Sequence, residues 1–356
     1  MRATRHGGSD GTSRGAAGIA VVVALAVVAA VAGGGCSRTP IDAASAVKQS
    51  DLRFLPGKTV GLAVVEVARF EDKAAIGRWL DDFAKQAGAG GLDRVRATLG
   101  PDALDRLDRI ALALVPAAGS TQYVVLAEGR FEEQTVKNLT GGGGIVTLVE
   151  VGTAPDLSIM PLPKNHLALG PRAVLEQVRV LAAGGGGDQG LAGAPVMKVL
   201  SRVNPAKQIW GGIDYSVLAG LLEEGSRDGG GSPMAGFARS LRALAFQGTI
   251  DDGVQFDLIG LADGEPGAKT LADAARGLVA IARVGASQGA NRAAEGSSGG
   301  AADPAVESAQ AWRRFLDGVR IDQERDEIRV HGTLDGPMAR SFAGAATRAV
   351  PGVGTN

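Results

Sequence analysis

The chain has 356 residues with 37 basic and 38 acidic side chains, so there is no charge excess to hold nucleic acid. A single cysteine excludes an intramolecular disulfide and any cysteine-cluster metal or redox site. Apolar residues reach 45%, enough for a folded body, but aromatics are only 4% and glycines number 54, so its cores are built from Ala, Val and Leu.

At the amino terminus Arg2, Arg5 and Arg14 precede an uncharged apolar run, Ala16 to Cys36, and Ser37-Arg38-Thr39-Pro40 follow it. A basic start, an apolar middle and a small-residue exit describe a secretory signal over residues 1–35. Gly33-Gly34-Gly35-Cys36 resembles the lipobox of bacterial lipoproteins, with Gly35 and Cys36 at the cleavage point and glycine at 33, where leucine is commonest. The resemblance implies cleavage before Cys36, diacylglycerol on its thiol and a palmitate-class chain on the freed amine. It also implies a lipid-anchored protein of a Gram-negative cell envelope. Ser37 after the cysteine resembles the outer-membrane sorting signal of enteric bacteria and favours that membrane over the inner one. One acyl chain holds a protein only marginally, whereas two or three hold it durably. The residues alone leave two other readings open: the 22 uncharged residues from Gly15 to Cys36 are long enough to span a bilayer uncleaved, and simple secretion is the third.

Removing residues 1–35 leaves 321, with 34 basic and 37 acidic, enough for one large domain or two ordinary ones. Residues 36–54 are expected to be the lipidated terminus and a polar tether. Thr59–Phe70 has strand character. Ile76, Trp79, Leu80 and Phe83, then Leu92, Val95 and Leu99, give two amphipathic helices, with a short piece at Leu104–Leu107. Ile110–Val115 and Gln122–Ala127 form a hairpin by spacing and turn chemistry. Glu132–Leu139 is helical, and Ile145–Val151, Asp156–Leu162 and His166–Leu169 are strands. Gly170-Pro171 opens a helix over Val174, Val178 and Leu181, with proline where its missing N–H does least harm. Pro195–Val203 is a short helix and Gln208–Tyr215 a strand.

The second half retraces this order. Ala243–Ile250 and Gly253–Ala262 repeat the hairpin, preceded by a helix around Phe237–Leu241. Leu126-Ala127-Glu128-Gly129 matches Leu261-Ala262-Asp263-Gly264, and Gly170-Pro171 matches Gly336-Pro337. Residues 286–303, ASQGANRAAEGSSGGAAD, have the composition of a disordered insertion. The expected fold is therefore α+β: two related modules, 55–187 and 190–347, of antiparallel sheet with helices packed on one face.

Catalytic signatures are weak. G-x-S-x-G spacing occurs at Gly7–Gly11, Gly285–Gly289 and Gly296–Gly300, none of them between a strand and a helix. Gly264-Glu265-Pro266-Gly267-Ala268-Lys269-Thr270 is too short for a phosphate loop and lacks glycine before its lysine. His166 and His331 remain after processing, without metal-site spacing. Asp81-Asp82, Glu132-Glu133, Glu223-Glu224 and Asp251-Asp252 suit solvated surfaces, and Trp79, Trp210 and Trp312 fall among core neighbours. No catalytic, cofactor-binding or metal residue is assigned.

The expected function is a non-enzymatic envelope lipoprotein that uses the membrane through Cys36 and binds or scaffolds an envelope protein or a small ligand, without nucleic acid. The alternative is a hydrolase-like envelope enzyme with its site between the modules, near Trp210 or His166.

Overall fold

The computed structural model describes residues 42–70, 102–117, 120–142, 144–149, 157–185, 190–216, 240–250, 253–296 and 304–335. The first half contains α1 (Ala43–Gln49), β1 (Gly61–Val65), α2 (Ala103–Arg106), β2 (Leu107–Ala117) and β3 (Ser120–Gly129). It continues through α3 (Glu133–Thr140), β4 (Val146–Val149), β5 (Leu157–Pro161), β6 (Leu167–Gly170) and α4 (Arg172–Ala182). The second half holds α5 (Val196–Leu200), β7 (Ile209–Asp214), β8 (Leu241–Ile250), β9 (Gly253–Ala262) and α6 (Gly264–Gly296). It closes with α7 (Pro304–Gly318), β10 (Arg320–Glu324) and β11 (Glu327–Asp335).

All eleven described strands join one sheet in the order β10-β11-β9-β8-β7-β1-β2-β3-β6-β5-β4, antiparallel at every step. The α+β class and its antiparallel hairpins are therefore as the sequence implies. β1 and β7 pair at the centre, with Ala63 opposite Gly211 at the midpoint of their register. β1 is apolar throughout, GLAVV, and every residue is buried, as a strand covered on both faces requires. At one edge, β10 (RIDQE) exposes Arg320, Asp322 and Glu324, charges that discourage pairing with another chain.

Both faces of the sheet carry a core, which corrects the expectation of helices on one face. Leu62 and Val64 join Trp210, α1, α4 and α5 on the first face. Ala63 and Val65, pointing the other way, join Val136 and Leu139 of α3 and Phe315 of α7 on the second. Near one edge, Ala268, Leu271 and Ala272 of α6 pack on Leu241, Ala262 and Ile328.

Local signals explain the helix ends. Asp42 caps α1 by accepting the Ser45 N–H at 2.9 Å. Gly141, at φ 61°, ends α3 in the left-handed conformation that lacks a penalty only without a Cβ.

Other expectations change. The strand read over Thr59–Phe70 stops at Val65 and continues as a 3-10 turn at Val67–Arg69. The tether read at 36–54 ends early: Ala43, Val47, Leu52 and Phe54 are buried in the first-face core, so the folded body begins by Asp42. The insertion read as disordered is helical through Gly296, because α6 runs on and pairs with α7; residues 297–303 lie outside the described residues. Leu241, read as helical, opens β8. The helices expected over 76–99 and the Gly336-Pro337 match also lie outside the described residues.

Candidate functional site

The sheet brings together charged residues that are far apart in sequence. Glu66 follows β1, Arg109 lies on β2 and Glu128 lies opposite it on β3, all on the first face. Arg109 is only 18% exposed and forms a two-pronged bond with Glu66, Nε to Oε1 at 3.0 Å and Nη2 to Oε2 at 3.2 Å. Its Nη1 donates to Glu128 Oε2 at 2.9 Å. Charge-assisted bonds of this planar kind are what make arginine, rather than lysine, suited to a row between two carboxylates. The Trp210 Nε1–H donates to Glu66 Oε1 at 3.3 Å, so the row reaches across the central seam to β7.

From above, the segment Asp42–Leu55 closes over the row. Its Asp51 N–H donates to Glu128 Oε1 at 3.0 Å, and its carboxylate meets His166 Nδ1 at 2.7 Å. Asp51 and His166 are 7% and 15% exposed. Burial pushes the Glu128 carboxyl above its ordinary value, with Arg109 pulling against it and Asp51 adding to the rise. Burial also opposes the Arg109 charge, but Glu66 and Glu128 outweigh it and hold that group above its ordinary value.

An Asp–His pair is the arrangement that orients an imidazole for general-base work. Here Asp51 is buried and His166 half-buried, and the neighbouring acids bond to Arg109, Trp210 and backbone. The row's geometry is that of a satisfied buried network, which fixes the sheet's central strands to the segment above.

A second pair lies toward the β10 edge. His331 Nδ1 meets Asp257 Oδ1, Asp257 Oδ2 accepts Gln247 Nε2 at 2.7 Å, and Gln247 Oε1 accepts the Asn204 N–H at 2.6 Å. The two histidines are thus not brought together. Among the described residues no group of three or more His, Cys, Asp or Glu is placed to hold a metal ion.

The other sequence candidates fall as follows. Cys36, Gly35 and Trp79 lie outside the described residues. Ser287 of the 285–289 motif sits inside α6 and donates to the Arg283 carbonyl at 2.9 Å, as a helical serine does. Residues 264–270 form the start of α6, and Trp312 stacks edge-on against Phe315. Sequence reasoning missed Asp51, Glu66, Arg109 and Glu128. The available signal was a charge at a core-facing position of an apolar run, as in VVEV and VVLAE.

An exposed feature stands apart from this network. Past Ala272 no residue of α6 through Gln288 is buried, and Leu278, Ile281 and Val284 are 50%, 71% and 57% exposed. Their spacing puts them on one side of the helix, while Arg283 reaches back to the Leu316 carbonyl of α7 at 2.6 Å. Large apolar side chains grouped in this way mark interaction surfaces.

No family model and no curated protein matches this chain significantly. Solved structures do. Crystal form III of TP0453 is 10% identical with a TM-score of 0.40, covering 86% of this chain and 99% of that one. Crystal forms I and IV of TP0453 are each 11% identical, with TM-scores of 0.36 and 0.41. They cover 87% and 84% of this chain and 98% and 99% of theirs.

Proposed function

We propose a lipid-anchored envelope protein, built from two related halves, that binds or scaffolds another envelope protein through α6. The observation that carries the binding role is the exposed row Leu278, Ile281 and Val284 on the part of α6 beyond Ala272, where no residue through Gln288 is buried. Photo-crosslinking from position 281 in cells is expected to join the chain to one defined envelope protein; adducts that form no discrete band would sink the role. With the crosslinker kept at 281, serine at positions 278 and 284 is expected to abolish that adduct yet change stability by no more than about 0.5 kcal/mol per site, read by thermal melting.

Two structural parallels support related halves. Outward from the centre, β7-β8-β9-β11-β10 repeats the antiparallel order β1-β2-β3-β6-β5. Each long hairpin carries a register shift in the same place, between Leu107 and Arg109 in one and between Leu241 and Ala243 in the other. These positions are 134 apart, and Leu126 and Ile259, opposite Ala111 and Ala245, are 133 apart. The register therefore pairs the halves two residues away from the Leu126–Leu261 match made on sequence. An inserted residue at the same point of two hairpins is a feature that related sequences keep.

The anchor rests on the basic start, the apolar run and Gly35-Cys36, with the described fold already under way at Asp42, six positions beyond Cys36. In a Gram-negative host, Cys36→Ala is expected to release the chain from membranes or leave it as an unprocessed precursor. Unchanged membrane association together with unchanged gel mobility would rule lipidation out.

A further inference from the structure

Beyond Ala272, α6 has two different sides. The side that carries Arg283 faces α7, through the bond to the Leu316 carbonyl. The other presents Gly277, Leu278, Ile281, Val284, Gly285 and Gln288, all exposed and none charged. At 3.6 residues per turn these six fall within an arc of about 120° centred on Ile281. The two glycines stand out, because glycine in a helix interior is destabilising relative to alanine. A Cβ built at Gly277 or Gly285 would meet nothing within 4 Å, so packing inside the chain calls for neither. What a bare position on a helix surface permits is the close approach of a second helix.

The order of the residues decides which helix that is. Outward from Ile281 in both directions, Ala280 matches Ala282, Leu278 matches Val284 and Gly277 matches Gly285. The one mismatch, Val279 against Arg283, lies on the α7 side. A two-fold axis through Ile281 sets residues equally far before and after it against each other, which is what a contact between identical surfaces requires. A second copy also matches the patch in charge, uncharged against uncharged.

We infer that α6 pairs antiparallel with α6 of a second copy of the chain, the two Ile281 side chains meeting on the axis. Leu278 of each copy then packs against Val284 of the other, and Gly277 and Gly285 let the helices draw together. The pairing rests on α6 being the binding surface and names its partner as another molecule of the same chain. It is a weak contact. Leu278, Ile281 and Val284 are half or more exposed, and burying them removes on the order of 200 Å2 of apolar surface per copy. A stable complex buries about 800 Å2 per partner. Copies therefore pair where something holds them close, as a shared membrane surface does.

Disulfide trapping tests this on the full chain in membranes of a Gram-negative host. The unsubstituted chain, whose one thiol is Cys36, sets the background. Ile281→Cys, on the axis, is expected to give at least about tenfold more linked dimer than Arg276→Cys on the far side of the helix. Leu278→Cys is expected to link poorly to itself, its two copies lying about 9 Å apart along the axis, beyond a disulfide's reach. It is expected to link well to Val284→Cys carried by a second, differently tagged copy. Adding Gly277→Leu and Gly285→Leu to Ile281→Cys is expected to cut the dimer at least about fivefold without lowering the melting temperature, since both positions face open space.

Equal linkage at 276, 278 and 281, or no loss of dimer with leucine at 277 and 285, would overturn the pairing. So would a discrete photo-adduct from position 281 of a mass other than twice the chain, which would leave α6 as a surface for a different protein. No discrete adduct from 281, the result if the row enters the bilayer instead, would overturn both the pairing and the binding role.

Discussion

Arg109→Met is expected to destabilise the fold by about 3–5 kcal/mol, because it leaves the buried Glu66 and the largely buried Glu128 without their cation. The loss depends on pH. A buried carboxyl whose pKa lies above its unfolded value is easiest to bury when protonated, so its cost appears as the pH rises through the folded-state value. Glu128 is already pushed up by burial from the ordinary 4.5, and losing Arg109 removes the first of the pulls against that rise. Chemical denaturation should therefore find the variant's deficit largest near neutrality and smaller at pH 5. A deficit under about 1 kcal/mol at pH 7.5, or one that grows on acidification, would show that the row is not an interdependent ion network.

Gly211→Val is expected to cost at least about 3 kcal/mol and, in a fold of ordinary stability, to leave little native protein at 37 °C. A Cβ built at Gly211 would fall inside contact distance of the Leu62 carbonyl oxygen and 2.5 Å from the Phe246 ring. Gly211 faces Ala63 on β1 and Phe246 on β8, in the middle of the sheet, where neither backbone has room to withdraw. The central pairing that joins the two halves therefore depends on a residue without a side chain. Circular dichroism and thermal melting would check this; a native-like melting temperature in the valine variant would mean that β1 and β7 are not packed as described.

Much of the sheet was legible because its signals are local. Apolar runs on either side of Ala117-Ala118-Gly119-Ser120 give β2 and β3, and proline ahead of Val174, Val178 and Leu181 gives α4. What was illegible depends on distant partners. Arg109 lies 43 residues from Glu66 and 19 from Glu128, and Asp51 lies 77 from Glu128, so strand pairing alone brings the network together. Residues 41–50 look like a tether because α1 buries only Ala43 and Val47, too few for a clear stripe. The far part of α6 looks disordered because glycine, serine and asparagine are poor helix formers, and no local signal announces that α7 lies alongside α6. Cores on both faces were hidden for another reason. Runs such as GLAVV show that a strand is covered on two sides but not which helices cover it.

The anchor at Cys36 is the claim on which location and partner class both rest. Mass spectrometry of the amino-terminal peptide from chain purified out of a Gram-negative membrane tests it most directly. The account predicts a peptide that begins at Cys36 and carries the added mass of two or three acyl chains. An intact sequence beginning at Met1, with an unmodified Cys36, would contradict it.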